Sequence, residues 1–67
     1  MGHTSQVEIY VYVIKIHGDG ILINEGTKEN IWIPRSQIYC DENIQEGQYY
    51  DIEIPEWLAK SKKLSGY

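Results

Sequence analysis

The side chains of this chain that could do chemistry are mostly tyrosines and carboxylates. Six Tyr and two Trp stand in 67 residues, with no Phe. Tyr10, Tyr12 and Tyr49 alternate with aliphatic residues, and so do Glu8, Asp51 and Glu53. One strand face would therefore interleave aromatic rings with carboxylates. Tyr, Trp and Arg dominate the energetic centres of protein interfaces. An acidic setting steers such a face towards a basic partner. Tyr10, Tyr12, Tyr49, Glu8, Asp51, Glu53 and Arg35 form the candidate partner-binding set.

The same rings could stack on bases, which makes single-stranded nucleic acid the alternative ligand. Its basic set would be Lys15, Arg35, Lys60, Lys62 and Lys63. Charge opposes this. Residues 1–59 hold three basic and ten acidic groups, a balance of −7, while Lys60, Lys62 and Lys63 bring the chain to −4. Three phosphate contacts would give a salt slope of only about −2 on a single strand.

Catalysis has little to work with. His17 and the single Cys40 could pair as base and thiol nucleophile, but no hydrolase, metalloprotease or phosphate-loop motif is present. Asp51/Glu53 and Asp41/Glu42 are paired carboxylates without a cleft to desolvate one of them. Asp19, Glu25 and Glu29 come from neighbouring turns and could face a hard cation, yet their spacing matches no EF-hand loop. No catalytic residue, metal or cofactor is expected, and the chain reads as a non-enzymatic binding module.

Size and composition agree. A chain of 67 residues supports one core and no second domain. One cysteine forms no intrachain disulfide and suits a reducing compartment. The longest apolar run, Ile9–Ile14, is six residues, against the ~20 of a membrane helix. The polar start, Met1 to Gln6, lacks the apolar region of a signal peptide. A soluble, cytoplasmic protein is the expectation.

Periodicity supplies the elements. Val7 to Ile16 predicts a long strand with Val7, Ile9, Val11 and Val13 inside. Lys15 falls on that inner face, so a bulge near Val13–Lys15 should move the strand to a new partner. His17-Gly18-Asp19-Gly20 is a turn, Ile21–Ile23 a returning strand, and Asn30–Ile33 a third, ended by Pro34. Arg35–Ile38 predicts one helical turn, and Tyr39–Cys40 a short strand before the acidic loop Asp41–Gly47. Gln48–Ile54 alternates, with Tyr50, Ile52 and Ile54 inside. Pro55 then starts a helix over 55–64, anchored by Trp57 and Leu58. Trp32 and Trp57 are expected to pack together as plug and lid. The predicted fold is mainly β: a small antiparallel barrel, SH3-like or OB-like, of four to five strands. It occupies 7–64, between a flexible 1–6 and a tail at 65–67. An edge strand could also add to a partner sheet or to a second copy.

Two segments, Trp32-Ile33-Pro34-Arg35-Ser36-Gln37-Ile38 and Ile54-Pro55-Glu56-Trp57-Leu58-Ala59 with Lys62, Lys63 and Leu64, resemble a group of short uncharacterised bacteriophage and prophage proteins. With the preceding hairpin the likeness spans roughly Val7–Leu64. The resemblance implies a phage or mobile-element accessory protein acting inside a bacterial cell, and no particular activity. Basic surfaces there are commonly nucleic-acid-binding grooves. The expected partner is therefore a basic host or phage protein, with the chain as an inhibitor of a nucleic-acid-handling or CRISPR-type defence protein.

Overall fold

Alternation builds the first strand, β1 (Gln6–His17): Ile9, Val11 and Val13 are buried, while Glu8 and Tyr10 lie outside. The computed structural model describes residues 5–64. The register with β2 (Gly20–Asn24) slips between Val13 and Lys15, as the sequence predicts. Ile14 is the extra residue of this bulge, and parity reverses after it. Ile16 now faces in, opposite buried Ile21, and Lys15 stays outside, opposite Leu22. The bulge also changes partners. Residues 6–12 of β1 pair with β4 (Tyr49–Pro55), and residues 12–17 pair with β2. With β3 (Ile31–Pro34) the order is β3-β2-β1-β4, all antiparallel.

Backbone bonds left over at the bulge are taken by the acidic loop. Val13 N–H donates to the Gln48 carbonyl at 2.9 Å, and Gly47 N–H donates to the Val13 carbonyl at 2.7 Å. The Glu46 carboxylate accepts the Ile16 N–H at 2.7 Å. Buried Tyr50 fixes the loop from within: its hydroxyl accepts the Gln45 N–H and donates to the Asn43 carbonyl.

Past Pro34, a 3₁₀ turn (Arg35–Gln37) carries the chain from β3 to the far side of β4. There Tyr39 and Glu53 exchange two backbone hydrogen bonds, of 2.8 and 2.9 Å. The expected Tyr39–Cys40 strand is reduced to this single bridge. Ile38, Cys40 and Ile44 then pack against the core where a strand would have run. The sheet is consequently open, with only β2 beside β3, and it does not close into the expected barrel.

The helix α1 (Glu56–Lys62) begins one residue after Pro55, which is the last strand residue and the helix cap. Leu58, Ala59 and Leu64 are buried on the sheet, whereas Trp57 is 57% exposed, so Trp57 is not an anchor. The chain reversal at Lys63 is the reason. Lys63 takes φ 57° and ψ 41°, and Leu64 N–H reaches back to the Ala59 carbonyl at 2.8 Å. This Schellman closure tucks Leu64 beneath Ala59 and turns the Leu58–Ala59 side inward. Trp32 is also outside, 43% exposed, because Ile31 and Ile33 face in on either side of it. Its ring lies against Gly20, where a Cβ would stand 3.1 Å from Cε3. The two tryptophans therefore form no plug and lid.

Lys63 holds a left-handed conformation that glycine adopts without steric cost. K63G should raise stability by about 0.5–1 kcal/mol, measured as the urea midpoint; a fall would show that the lysine side chain has a structural role there.

The flexible ends expected at 1–6 and 65–67 lie mostly outside the described residues. Of these, Gln6 opens β1 and the Ser5 carbonyl accepts the Glu56 N–H at 2.9 Å. Among the described residues no helix is long and apolar enough to cross a membrane.

Candidate functional site

The pairing of β1 with β4 assembles the predicted face. Tyr12 stands opposite Tyr49, Tyr10 opposite Asp51, and Glu8 opposite Glu53. All six side chains point away from the core by strand alternation. The Tyr10 and Tyr49 rings stack diagonally across the strands, with centroids 5.4 Å apart and planes within 9°. Tyr12 leans on Tyr49 at 4.9 Å and 59°. A shallow cleft runs between these rings and the turn after β2, lined by Asn24, Glu25 and Gly26. Asn24 shapes that turn: its amide donates to the Thr27 and Glu29 carbonyls, and its side-chain oxygen accepts the Gly26 N–H.

Beside the rings lies an acidic basin. The Tyr39–Glu53 bridge brings Tyr39, Asp41 and Glu42 alongside Glu8, Asp51 and Glu53. These residues line a depression of about 210 Å³, smaller than the ~300–1,000 Å³ of small-molecule pockets. Among the described residues, none of these five carboxylates is ion-paired; the salt bridge present is Lys60–Glu56 at 3.9 Å. Glu8 directly opposite Glu53 is a like-charge pair, which costs a sheet stability. No group of three or more described acidic, His or Cys side chains is placed to hold a metal ion.

Tyr39 joins the face through a hydrogen bond to Asp41, and that bond with the nearby negative charge raises its phenol above the ordinary value near 10. A raised acid stabilises the fold below its unfolded pKa, and the effect is lost as pH rises through the folded one. In an absorbance titration, the difference between the parent chain and Y39F should place Tyr39 above the ordinary tyrosine range. D41N should return it towards that range, and an unchanged midpoint would rule out the Asp41 bond.

The other candidates are not brought to this face. Arg35 follows β3, and its N–H donates to the Asp19 carbonyl at 2.6 Å beside the β1–β2 hairpin. Lys15 lies past the bulge, opposite Leu22. Lys60, Lys62 and Lys63 follow Pro55, six residues along β4 from Tyr49, about 20 Å at the usual rise. The basic set is thus divided between the β1–β2 hairpin end and the segment that follows β4. Asp19 stands at one end of β2 and Glu25 and Glu29 beyond the other, so this trio does not converge. Cys40 donates to the Asp51 carbonyl at 3.7 Å, beside carboxylates, while His17 is at the hairpin. A thiolate nucleophile needs adjacent positive charge or a base, and among the described residues neither lines the depression that holds Cys40.

Comparison with protein families, curated proteins and solved structures finds no match to this chain. The face must therefore be interpreted from its own geometry. Sequence reasoning missed Tyr39, Asp41 and Glu42 as members of it. Their membership depends on the chain crossing to the far side of β4, which no local pattern records.

Proposed function

We propose that this chain is a non-enzymatic interaction module that binds a basic protein surface through its acidic, tyrosine-rich face. One observation carries the reading: the stacked tyrosines adjoin five carboxylates that form no ion pair among the described residues, while the C-terminal lysines follow the end of β4 remote from Tyr49. Rings supply rigid contact area at low entropic cost, and the uncompensated negative charge attracts and orients a basic partner. The same placement disfavours single-stranded nucleic acid, since a phosphate backbone stacked along Tyr10 and Tyr49 would run past Asp51 and Glu8. In this reading the open four-stranded sheet is related to SH3-like or OB-like barrels, with the last strand reduced to the Tyr39–Glu53 bridge. Its context is a phage or mobile-element protein in the bacterial cytoplasm, with a basic nucleic-acid-handling or defence protein as partner.

The test is salt-dependent affinity capture with the parent chain and a Y10A/Y12A/Y49A variant. The parent should retain a basic partner at low salt and release it as salt rises. The variant should lose at least about 100-fold in affinity, near 1 kcal/mol per ring. Equal retention by the folded variant would place the binding surface elsewhere.

A further inference from the structure

We propose that the edge of β1 beside Glu8 and Tyr10 is a strand-addition site for an extended, basic peptide segment. The proposal rests on the acidic face being the binding surface, and it specifies how a partner engages it. Glu53 uses its backbone N–H and C=O on Tyr39, so its pairing with Glu8 is of the non-hydrogen-bonded kind. Glu8 and Tyr10 therefore direct their N–H and C=O groups to the other side of β1. β2 pairs with β1 only from Tyr12 onward. Among the described residues, nothing hydrogen bonds to this stretch of edge. It offers two donors and two acceptors in extended register, which is the template that strand addition uses.

The remaining edges are less suited. β3 is four residues long and ends in Pro34, which removes a donor. The far side of β4 is occupied at Glu53 by Tyr39, and the Asp51 carbonyl takes the Cys40 thiol.

Charge selects the occupant. Glu8 projects from this edge on the outer face, with Glu53 and Asp51 one strand away. On the inner face Val7 is only half-buried at the same edge. An added strand would thus meet carboxylates on one side and an apolar surface on the other, matching alternating basic and apolar residues. A second copy fits worse, because antiparallel pairing of two such edges brings their Glu8 side chains and acidic faces together.

The test is NMR amide exchange on the full chain. One probe is a synthetic peptide of alternating lysine and valine, and the other has the same lysines with proline in place of each valine. At saturation the alternating peptide should slow exchange at the Glu8 and Tyr10 amides about tenfold or more, and the proline peptide should not. E8P removes one edge donor that β4 does not use, and should weaken the alternating peptide about tenfold relative to E8Q, which lacks the same carboxylate but keeps the donor. The exchange measurement stands whether or not that variant folds. If both peptides shift the resonances of Glu8, Asp51, Glu53 and the tyrosines equally and neither protects the two amides, strand addition is wrong while the acidic face keeps its role. If neither peptide perturbs the face, both proposals fail. Protection that grows with protein concentration alone would assign the edge to a second copy and overturn the proposal.

Discussion

D51K/E53K should abolish binding to a basic partner while leaving the fold intact. The two substitutions replace two negative charges by two positive ones in the middle of the basin, between the stacked tyrosines and Tyr39. Association steered by charge is worth about 10–1,000-fold in rate, and juxtaposed like charges cost several kcal/mol. An affinity loss of at least about 100-fold is expected by isothermal calorimetry. Stability should move the other way. Glu53 stands opposite Glu8, so a lysine there exchanges a repulsive cross-strand pair for an attractive one, a gain of a few tenths of a kcal/mol. A double variant that binds less but melts no earlier would separate the face from the fold. Unchanged affinity would show that the carboxylates play no part in recognition.

I54A should unfold a large share of the protein. Ile54 is fully buried, pairs with Val7 across β1, and belongs to the cluster that includes Leu58, Ala59 and Leu64. Its truncation removes apolar contact and leaves a cavity bounded by β-sheet backbone and by a helix of seven residues. The expected cost is about 2–5 kcal/mol. Marginal stabilities run at ~0.05–0.15 kcal/mol per residue, or about 3–10 kcal/mol at this size. Denaturant unfolding followed by circular dichroism should show a midpoint shifted to a fraction of the parent value. A loss below ~1 kcal/mol would mean that the helix and sheet collapse onto the gap, and that α1 is held elsewhere.

Much of the fold was legible wherever side-chain parity decides it. Lys15 among apolar positions announced the bulge, and the change of partner followed. The alternation around Ile52 placed Tyr49, Asp51 and Glu53 outside together, and with Glu8, Tyr10 and Tyr12 on β1 this made most of the face readable. For the tryptophans, position outweighs size. Trp32 stands between two inward isoleucines, so parity already required it outside. Trp57 depended on the left-handed residue at Lys63, a lysine where glycine is usual, and that hid the reversal which buries Leu64. Arg35 suits the tyrosines by chemistry, but the chain path puts it by the β1–β2 hairpin. The open sheet and the arrival of Tyr39 beside Glu53 are long-range outcomes. A single bridge leaves too short a pattern to be read as a strand.

Recognition on the proposed Tyr10–Tyr49 face is tested most directly by site-directed photocrosslinking, with one photoreactive residue placed in turn at Tyr49, Trp32 and Trp57. All three positions are exposed aromatics, on β4, β3 and α1 respectively, so reactivity alone does not favour any of them. The predicted result is a crosslink from position 49 to a basic protein, suppressed by salt and absent in D51K/E53K, with little from the other two. Crosslinking that is strongest from position 32 or 57, or that survives D51K/E53K unchanged, would contradict the account.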